Sequence, residues 1–170
     1  MVDRQKLSEK ALRDAVRAVR DVAVSVLPED PVLTAPSVGA QFEAAEANQW
    51  LGNPEFLSHE SLHTLVAGMT LPNLLPRLKR EATVIMPADR LDLLPGVVMA
   101  HRSPDYGPLA ALILTGGFEV PESVSKLFAD SEIDLPIAVT KGDTFPTAVA
   151  LQGIRGTSTS SARKIEVSRA

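Results

Sequence analysis

Residues 82–117 read ATVIMPADRLDLLPGVVMAHRSPDYGPLAALILTGG, and this stretch decides the fold. It contains two apolar runs, Ala82–Met86 and Leu109–Leu114, and a polar turn follows each run. The first turn holds Asp89-Arg90, and the second is Thr115-Gly116-Gly117. If both runs are parallel strands, both turns lie at one edge of the sheet, which is where open α/β sheets bind ligands.

The same strand-then-helix pattern occurs on both sides of this stretch. The four predicted strands are Leu62–Ala67, Ala82–Met86, Leu109–Leu114 and Leu135–Val139. The helices that follow them are, in the same order, Leu71–Leu78, about Asp92–His101, Pro121–Phe128 and about Thr144–Gln152. Thr70 and Asp92 have the side chains of helix N-caps. Four such units predict an α/β fold, with a mostly parallel sheet of four to five strands and helices on both faces.

The two ends of the chain are less regular. The predicted elements there are an amphipathic helix at Lys6–Val22, a buried strand at Val22–Leu27, an Ala-rich helix at Ser37–Trp50 and a last short turn at Arg163–Val167. The breaker Gly52-Asn53-Pro54 ends the Ala-rich helix, and the small polar residues 156–161 have the composition of a linker.

Composition excludes several classes of function. The 170 residues include no cysteine, which rules out disulfides, zinc knuckles and thiol nucleophiles. A net charge of -4 and 4% aromatic residues argue against a nucleic-acid partner. Charged residues interrupt every apolar stretch, so no membrane span is predicted. The charged N-terminus is not a secretory signal, and we expect a cytoplasmic protein.

Each polar turn has a functional and a structural interpretation. Asp89 and Arg90 can face a ligand or a partner subunit, or they can form a helix cap and a surface ion pair worth about 0–1 kcal/mol. Thr115-Gly116-Gly117 lets a phosphate approach the backbone, or it is simply a tight turn, since no Walker or G-x-G-x-x-G motif is present. Lys141, in the turn after the fourth run, can attract an anionic effector or lie solvated.

His59-Glu60-Ser61-Leu62-His63 satisfies the zinc-protease motif H-E-x-x-H. That mechanism needs both histidines on one helix face, Glu60 as the base and a third ligand. Here the motif precedes a β-type run, and Val66 and Met69 occupy the places of the glycine and third histidine of the extended form. His59 and His63 are thus metal candidates only for a minor alternative, a zinc hydrolase, and we predict no cofactor.

The order of these pieces resembles the DRTGG domain, which is named for its discontinuous residues. Asp89-Arg90 follows one run and Thr115-Gly116-Gly117 follows the next, with the helix ending Val97–His101 between them. Flanking phrases resemble the middle region of the long bacterial phosphate acetyltransferases; they are LPEDPVLTAPSV at 27–38, LPNLL at 71–75, LPI at 135–137 and RKIE at 163–166.

The resemblance implies a layout for the whole protein. In that family a P-loop-type domain comes first, then the DRTGG domain, then a catalytic domain that moves acetyl between coenzyme A and phosphate. Residues 1–52 would be a remnant of the first domain, 53–157 the DRTGG domain, and 158–170 a linker toward a catalytic domain that this sequence lacks. We therefore expect no catalytic residues and no activity from this chain alone.

The expected function is that of a non-catalytic regulatory and subunit-association module. Its implied partners are other subunits, the catalytic domain of the parent enzyme and a small anionic effector. The family marks Asp89, Arg90 and Thr115-Gly116-Gly117, with Arg90 as the expected partner of an anion or carboxylate. The alternative is a free-standing module that binds a nucleotide or metabolite at the sheet edge.

Overall fold

A computed structural model describes residues 9–19, 30–129, 131–156 and 161–169. The chain forms two compact units, Met1–Asp30 and Pro31–Ala170. In the first unit, helix α1 spans Glu9–Val19, within the predicted amphipathic helix. The strand predicted at Val22–Leu27 lies outside the described residues.

The second unit contains one five-stranded sheet. Its elements in chain order are α2 Pro31–Thr34, α3 Val38–Ala44, β1 Asn48–Leu51, β2 His63–Val66, α4 Leu71–Leu74, β3 Ala82–Pro87, α5 Leu94–Arg102, β4 Ala111–Thr115, α6 Glu122–Ser125, β5 Ile137–Val139, α7 Thr144–Gln152 and α8 Ala162–Arg169. The strand order is β1-β5-β4-β3-β2. Strands β2 to β5 are parallel neighbours, and β1 pairs antiparallel with β5. The predicted α/β fold with a mostly parallel sheet is confirmed.

The two faces of the sheet bury separate cores. Leu112 and Leu114 of β4 point into one core with α4, α5 and Phe128, while Ile113 points into the other with α3 and α7. All five side chains of β4 are buried, as expected for a strand covered on both faces. The helices predicted for both faces are therefore present, and each core shields one side of the central strands.

The Ala-rich helix predicted at Ser37–Trp50 is half wrong. Ser37 caps α3 by accepting a hydrogen bond from the Ala40 N–H at 3.2 Å, but the helix ends at Ala44. Glu46 then adopts a positive φ of 49°, which turns the chain into β1. Pairing of β1 with the edge of β5 is a tertiary interaction that overrides local helix propensity.

Two other predicted helices differ from those observed. The helix predicted over Leu71–Leu78 is α-helical only to Leu74 and then continues as a short 3₁₀ turn at Leu75–Arg77. Pro76 explains this, because it cannot donate to the carbonyl of Pro72 and its ring clashes with that group. The helix predicted over Pro121–Phe128 is α-helical at Glu122–Ser125.

Asp92 does not cap α5, which corrects the sequence prediction. The helix begins at Leu94 with Leu93 in the N-cap position. Both carboxylate oxygens of Asp92 instead accept hydrogen bonds from Arg90, at 2.9 and 3.0 Å. The charged partner two residues earlier outcompetes the helix amides for this carboxylate.

The C-terminal helix α8 packs on α2. Lys164 of α8 is fully buried, and its ammonium donates to the carbonyl of Ala35 at 2.6 Å. The N–H of Gly156 donates to the carbonyl of Thr34 at 2.9 Å. The domain boundaries predicted near residues 52 and 157 stay predictions. Within the described residues, no helix is both long and apolar enough to cross a membrane.

Candidate functional site

The three turns singled out in the sequence follow β3, β4 and β5 at one edge of the sheet. The parallel register places Pro87 beside Thr115, and Leu114 beside Val139. The polar turns after these strands are therefore neighbours in space, as we expected from the strand pattern. The carboxyl ends of parallel strands are the usual place for a ligand site in such folds.

Arg90 is engaged with Asp92 in this structure. Their ion pair is exposed, and the hydrogen bond from Arg90 lowers the pKa of the Asp92 carboxyl below its usual value. The side chain of Asp89 is exposed to solvent. The turn contacts the next one through the backbone, because the Ala88 N–H donates to the carbonyl of Thr115 at 2.8 Å.

The turn Thr115-Gly116-Gly117 joins two loops of the site. The N–H of Gly116 donates to the carbonyl of Gly142 at 2.8 Å, and that of Gly117 to Thr140 at 3.1 Å. Both glycines have positive φ, 94° and 70°. The buried Thr115 hydroxyl lies 2.7 Å from the hydroxyl of Thr144. Since both glycine amides already have carbonyl partners, this turn fixes the loop after β5 against the loop after β4.

A cavity of about 780 Å³ opens beside these loops. Its wall combines the loop after β4, the loop and helix after β5, and the segment from α3 to β1. The lining residues are Ala44, Ala45, Glu46, Asn48, Trp50, Gly117, Phe118, Glu119, Val120, Val139, Thr140, Lys141, Gly142, Pro146, Thr147 and Ala150. Its volume falls in the range of small-molecule sites, which is roughly 300–1,000 Å³.

The topology explains why the cavity lies here. The chain leaving β4 continues to Val120, Val124 and Phe128, which pack on the core that contains Leu112. The chain leaving β5 continues into α7, whose Leu151 packs on the opposite core. Loops from adjacent strand ends that turn to opposite faces of a sheet leave a crevice between them.

Sequence reasoning found only part of this cavity. Lys141 and Gly117 were candidates, and both line the wall. Trp50 and Thr147 were not candidates, because one fell in a predicted helix and the other has no motif around it. The remaining candidates, Asp89, Arg90, Thr115 and Gly116, lie at the same sheet edge but outside this wall. Only the pairing of β1 with β5 brings Trp50 to the site.

The H-E-x-x-H residues do not form a helix. His59 ends a 3₁₀ turn that spans Pro54–Ser58, and His63 begins β2, with both side chains exposed. Glu60 is buried and bonds to the hydroxyl of Ser161. In the described part of the chain, no three His, Cys, Asp or Glu side chains are grouped to hold a metal ion. The one-helix arrangement that the zinc hydrolase needs is therefore missing.

His101 lies near the opposite ends of the strands. It lines a second cavity of about 590 Å³ together with His59, Glu60 and Asp134. The N–H of Leu109 donates to Nδ1 of His101 at 3.0 Å, so the neutral imidazole carries its proton on Nε2. Burial lowers the pKa of His101, and the nearby Asp134 carboxylate partly opposes this.

This lowered pKa predicts acid sensitivity of the fold. Below about pH 6.5 the imidazole takes up a proton more readily in the unfolded chain, so the free energy of unfolding falls as pH is lowered. The slope contributed by His101 is at most about 1.4 kcal/mol per pH unit. Urea unfolding between pH 5 and 8 should show this slope, and His101→Gln should flatten it. An unchanged slope in the variant would assign the effect to other groups.

Comparisons with known proteins agree on one family. Residues 42–154 match the family model described as the DRTGG domain. A phosphate acetyltransferase of Nitratidesulfovibrio vulgaris is 30% identical in an alignment of 153 positions that covers 86% of this chain and 21% of that protein. A phosphate acetyltransferase of Synechocystis sp. is 28% identical over 134 residues, which are 78% of this chain and 19% of that protein. The chain thus spans about a fifth of the length of these curated relatives.

One solved structure shares the fold. It contains the CBS and DRTGG domains of the regulatory region of a Clostridium perfringens pyrophosphatase, in complex with the activator diadenosine tetraphosphate. The TM-score is 0.54 at 15% identity, covering 85% of this chain and 57% of that one. At this identity the likeness concerns the fold alone.

Proposed function

We propose that this chain, which belongs to the DRTGG domain family, is a non-catalytic regulatory and subunit-association module of a phosphate acetyltransferase. One observation supports the non-catalytic part. The signature side chains of Arg90 and Thr115 bond to nearby residues outside the signature, Arg90 to Asp92 and Thr115 to Thr144. These bonds hold the described turns in place at the edge of the sheet. They bring no nucleophile together with a base.

The relatives support the link to acetyl transfer. Both named proteins are phosphate acetyltransferases, and each aligns with this chain over about a fifth of its length. Most of such an enzyme therefore has no counterpart in these 170 residues. The substrates of the parent enzyme, acetyl-CoA and phosphate, would be handled by that other part.

An activity assay tests this proposal. The purified chain is incubated with acetyl-CoA and phosphate, and release of free coenzyme A is followed with a thiol reagent; the chain has no cysteine to interfere. We expect no turnover above the protein-free control. Acetyl transfer that scales with protein concentration would refute a non-catalytic role.

Subunit association is tested separately by light scattering over a range of protein concentrations. We expect a mass above that of the 18.2 kDa monomer at high concentration. A strict monomer at every concentration would contradict the assembly role and leave the regulatory one.

A second candidate is a free-standing module that binds a nucleotide or metabolite. The cavity at the ends of β4 and β5 favours it, because its volume of about 780 Å³ suits a small molecule. The structural neighbour was solved with a dinucleotide activator. The two candidates differ in the parent gene product: a protein with a fused acetyltransferase domain supports the first, and a protein that ends near this chain supports the second.

A further inference from the structure

The cavity between the loops after β4 and β5 has one polar side built around α7. Lys141 lies in the loop before this nine-residue helix. The side chain of Asp143, in the N-cap position, makes no capping hydrogen bond. The first two residues of α7, Thr144 and Phe145, do not line the cavity, and Pro146 has no N–H. The Lys141 ammonium, and not the start of the helix, is therefore the group that attracts an anion there.

Thr147 supplies an independent sign of a ligand. Its side chain is 4% exposed and lines the cavity. A Cβ built on Gly142, also in the cavity wall, would lie 3.2 Å from the Thr147 hydroxyl oxygen, so the hydroxyl faces the loop that carries Lys141. Among the described residues this hydroxyl has no hydrogen-bond partner. Buried hydroxyls are normally paired, so a bound molecule is the natural partner for this one.

The other side of the cavity is apolar with a few polar groups. Trp50, Val120 and Val139 provide surface against which a flat body can pack. Glu46, Asn48 and Glu119 offer acceptors for hydroxyl or amino groups. The wall carries two carboxylates and one lysine, which disfavours a di- or triphosphate.

We infer that this cavity binds a nucleoside monophosphate, with the phosphate at Lys141 and Thr147, and the base on the side of Trp50. A single phosphate group suits the one lysine of the wall better than a di- or triphosphate does. The ribose hydroxyls and the exocyclic amine of the base suit the carboxylates. The role of this ligand as an effector rests on the regulatory function proposed above, whereas the binding site itself rests on the cavity alone.

Trp50 is the only tryptophan of the chain, so its fluorescence reports on the cavity without labelling. Adenosine monophosphate is the probe, with adenosine and inorganic phosphate titrated in parallel, and calorimetry confirms each affinity. We expect saturable binding of the monophosphate. Adenosine alone and phosphate alone should each bind at least about tenfold more weakly than the monophosphate. No binding up to millimolar concentrations overturns the site. Phosphate binding as tightly as the monophosphate overturns the base side, and equally tight adenosine overturns the phosphate side.

Two substitutions locate the phosphate. Lys141→Gln and Thr147→Val should each weaken monophosphate binding about tenfold or more, because each removes a bond to a charged group. Thr147→Val should melt no lower than the parent chain, since the buried hydroxyl it removes has no described partner. Lys79→Gln, at an exposed lysine outside the cavity wall, is the matched control and should bind normally. Unchanged affinity in both cavity variants would overturn the assignment.

A last measurement separates the site from the regulatory proposal. The full-length parent enzyme is assayed for acetyl transfer with and without the monophosphate. Binding to the chain without any change in the rate of the parent enzyme refutes the effector role and leaves the site. A change in rate that Lys141→Gln abolishes supports both.

Discussion

Gly52→Ala is expected to destabilise the second unit by about 4 kcal/mol or more, which is a large part of the free energy of unfolding of a typical domain, about 5–15 kcal/mol. Gly52 has φ of +96°, a conformation that costs a side-chain-bearing residue about 1–2 kcal/mol. A Cβ there would also lie 2.1 Å from the carbonyl oxygen of Leu135 and 2.8 Å from Cα of Pro136. These are backbone atoms of the segment that leads into β5, so no side-chain rotation can relieve the clash.

Gly68→Ala provides the matched control. No heavy atom lies within 4 Å of a Cβ built at Gly68, and its φ is not in the left-handed region. We expect stability unchanged or raised by up to about 1 kcal/mol, because alanine restricts the unfolded chain. Thermal and urea unfolding of the two variants decide the matter. If Gly52→Ala were as stable as Gly68→Ala, the close approach of β1 and β5 would be wrong.

Leu112→Ala should cost about 3–5 kcal/mol. Leu112 is fully buried on β4, the middle strand of the sheet, and it packs in the core shared by α4, α5 and Phe128. Strands β3 and β5 flank it on both sides, so the surrounding backbone cannot move in to fill the space left by the lost methyl groups. Urea unfolding should show a lower midpoint with an unchanged slope.

Val149→Ala is the control for this substitution. Val149 lies on α7 with 51% of its surface exposed, and alanine is the better helix former. Its stability should stay within about 0.5 kcal/mol of the parent chain. A loss at Leu112 no larger than that at Val149 would contradict the placement of β4 at the centre of a buried sheet.

The strands β3 to β5 were predictable because each lies in a nearly continuous apolar run. Parallel strands covered on both faces need no alternation of polar and apolar residues, and Ala82–Met86 and Leu109–Leu114 show this pattern clearly. The same runs fixed the sheet edge at which Thr115 and Lys141 lie. The positions of these turns follow from chain direction alone, which is why they could be expected before any side chain was placed.

Other features depend on tertiary contacts that a sequence pattern does not carry. Strand β1 was missed because Asn48–Leu51 lacks both alternation and β-branched residues, and it exists through its pairing with β5. The cap expected of Asp92 was lost to Arg90. The cavity combines Trp50 and Thr147, which lie almost a hundred positions apart in the chain. A local sequence motif does not predict that two such distant residues line the same cavity.

The contacts between α2 and α8 have a consequence for how this unit is joined to anything else. Gly156 bonds to Thr34, and Lys164 bonds to Ala35, so the segments that precede and follow the sheet lie side by side. Chain ends that lie close together allow such a unit to be inserted into a longer polypeptide without driving the flanking segments apart.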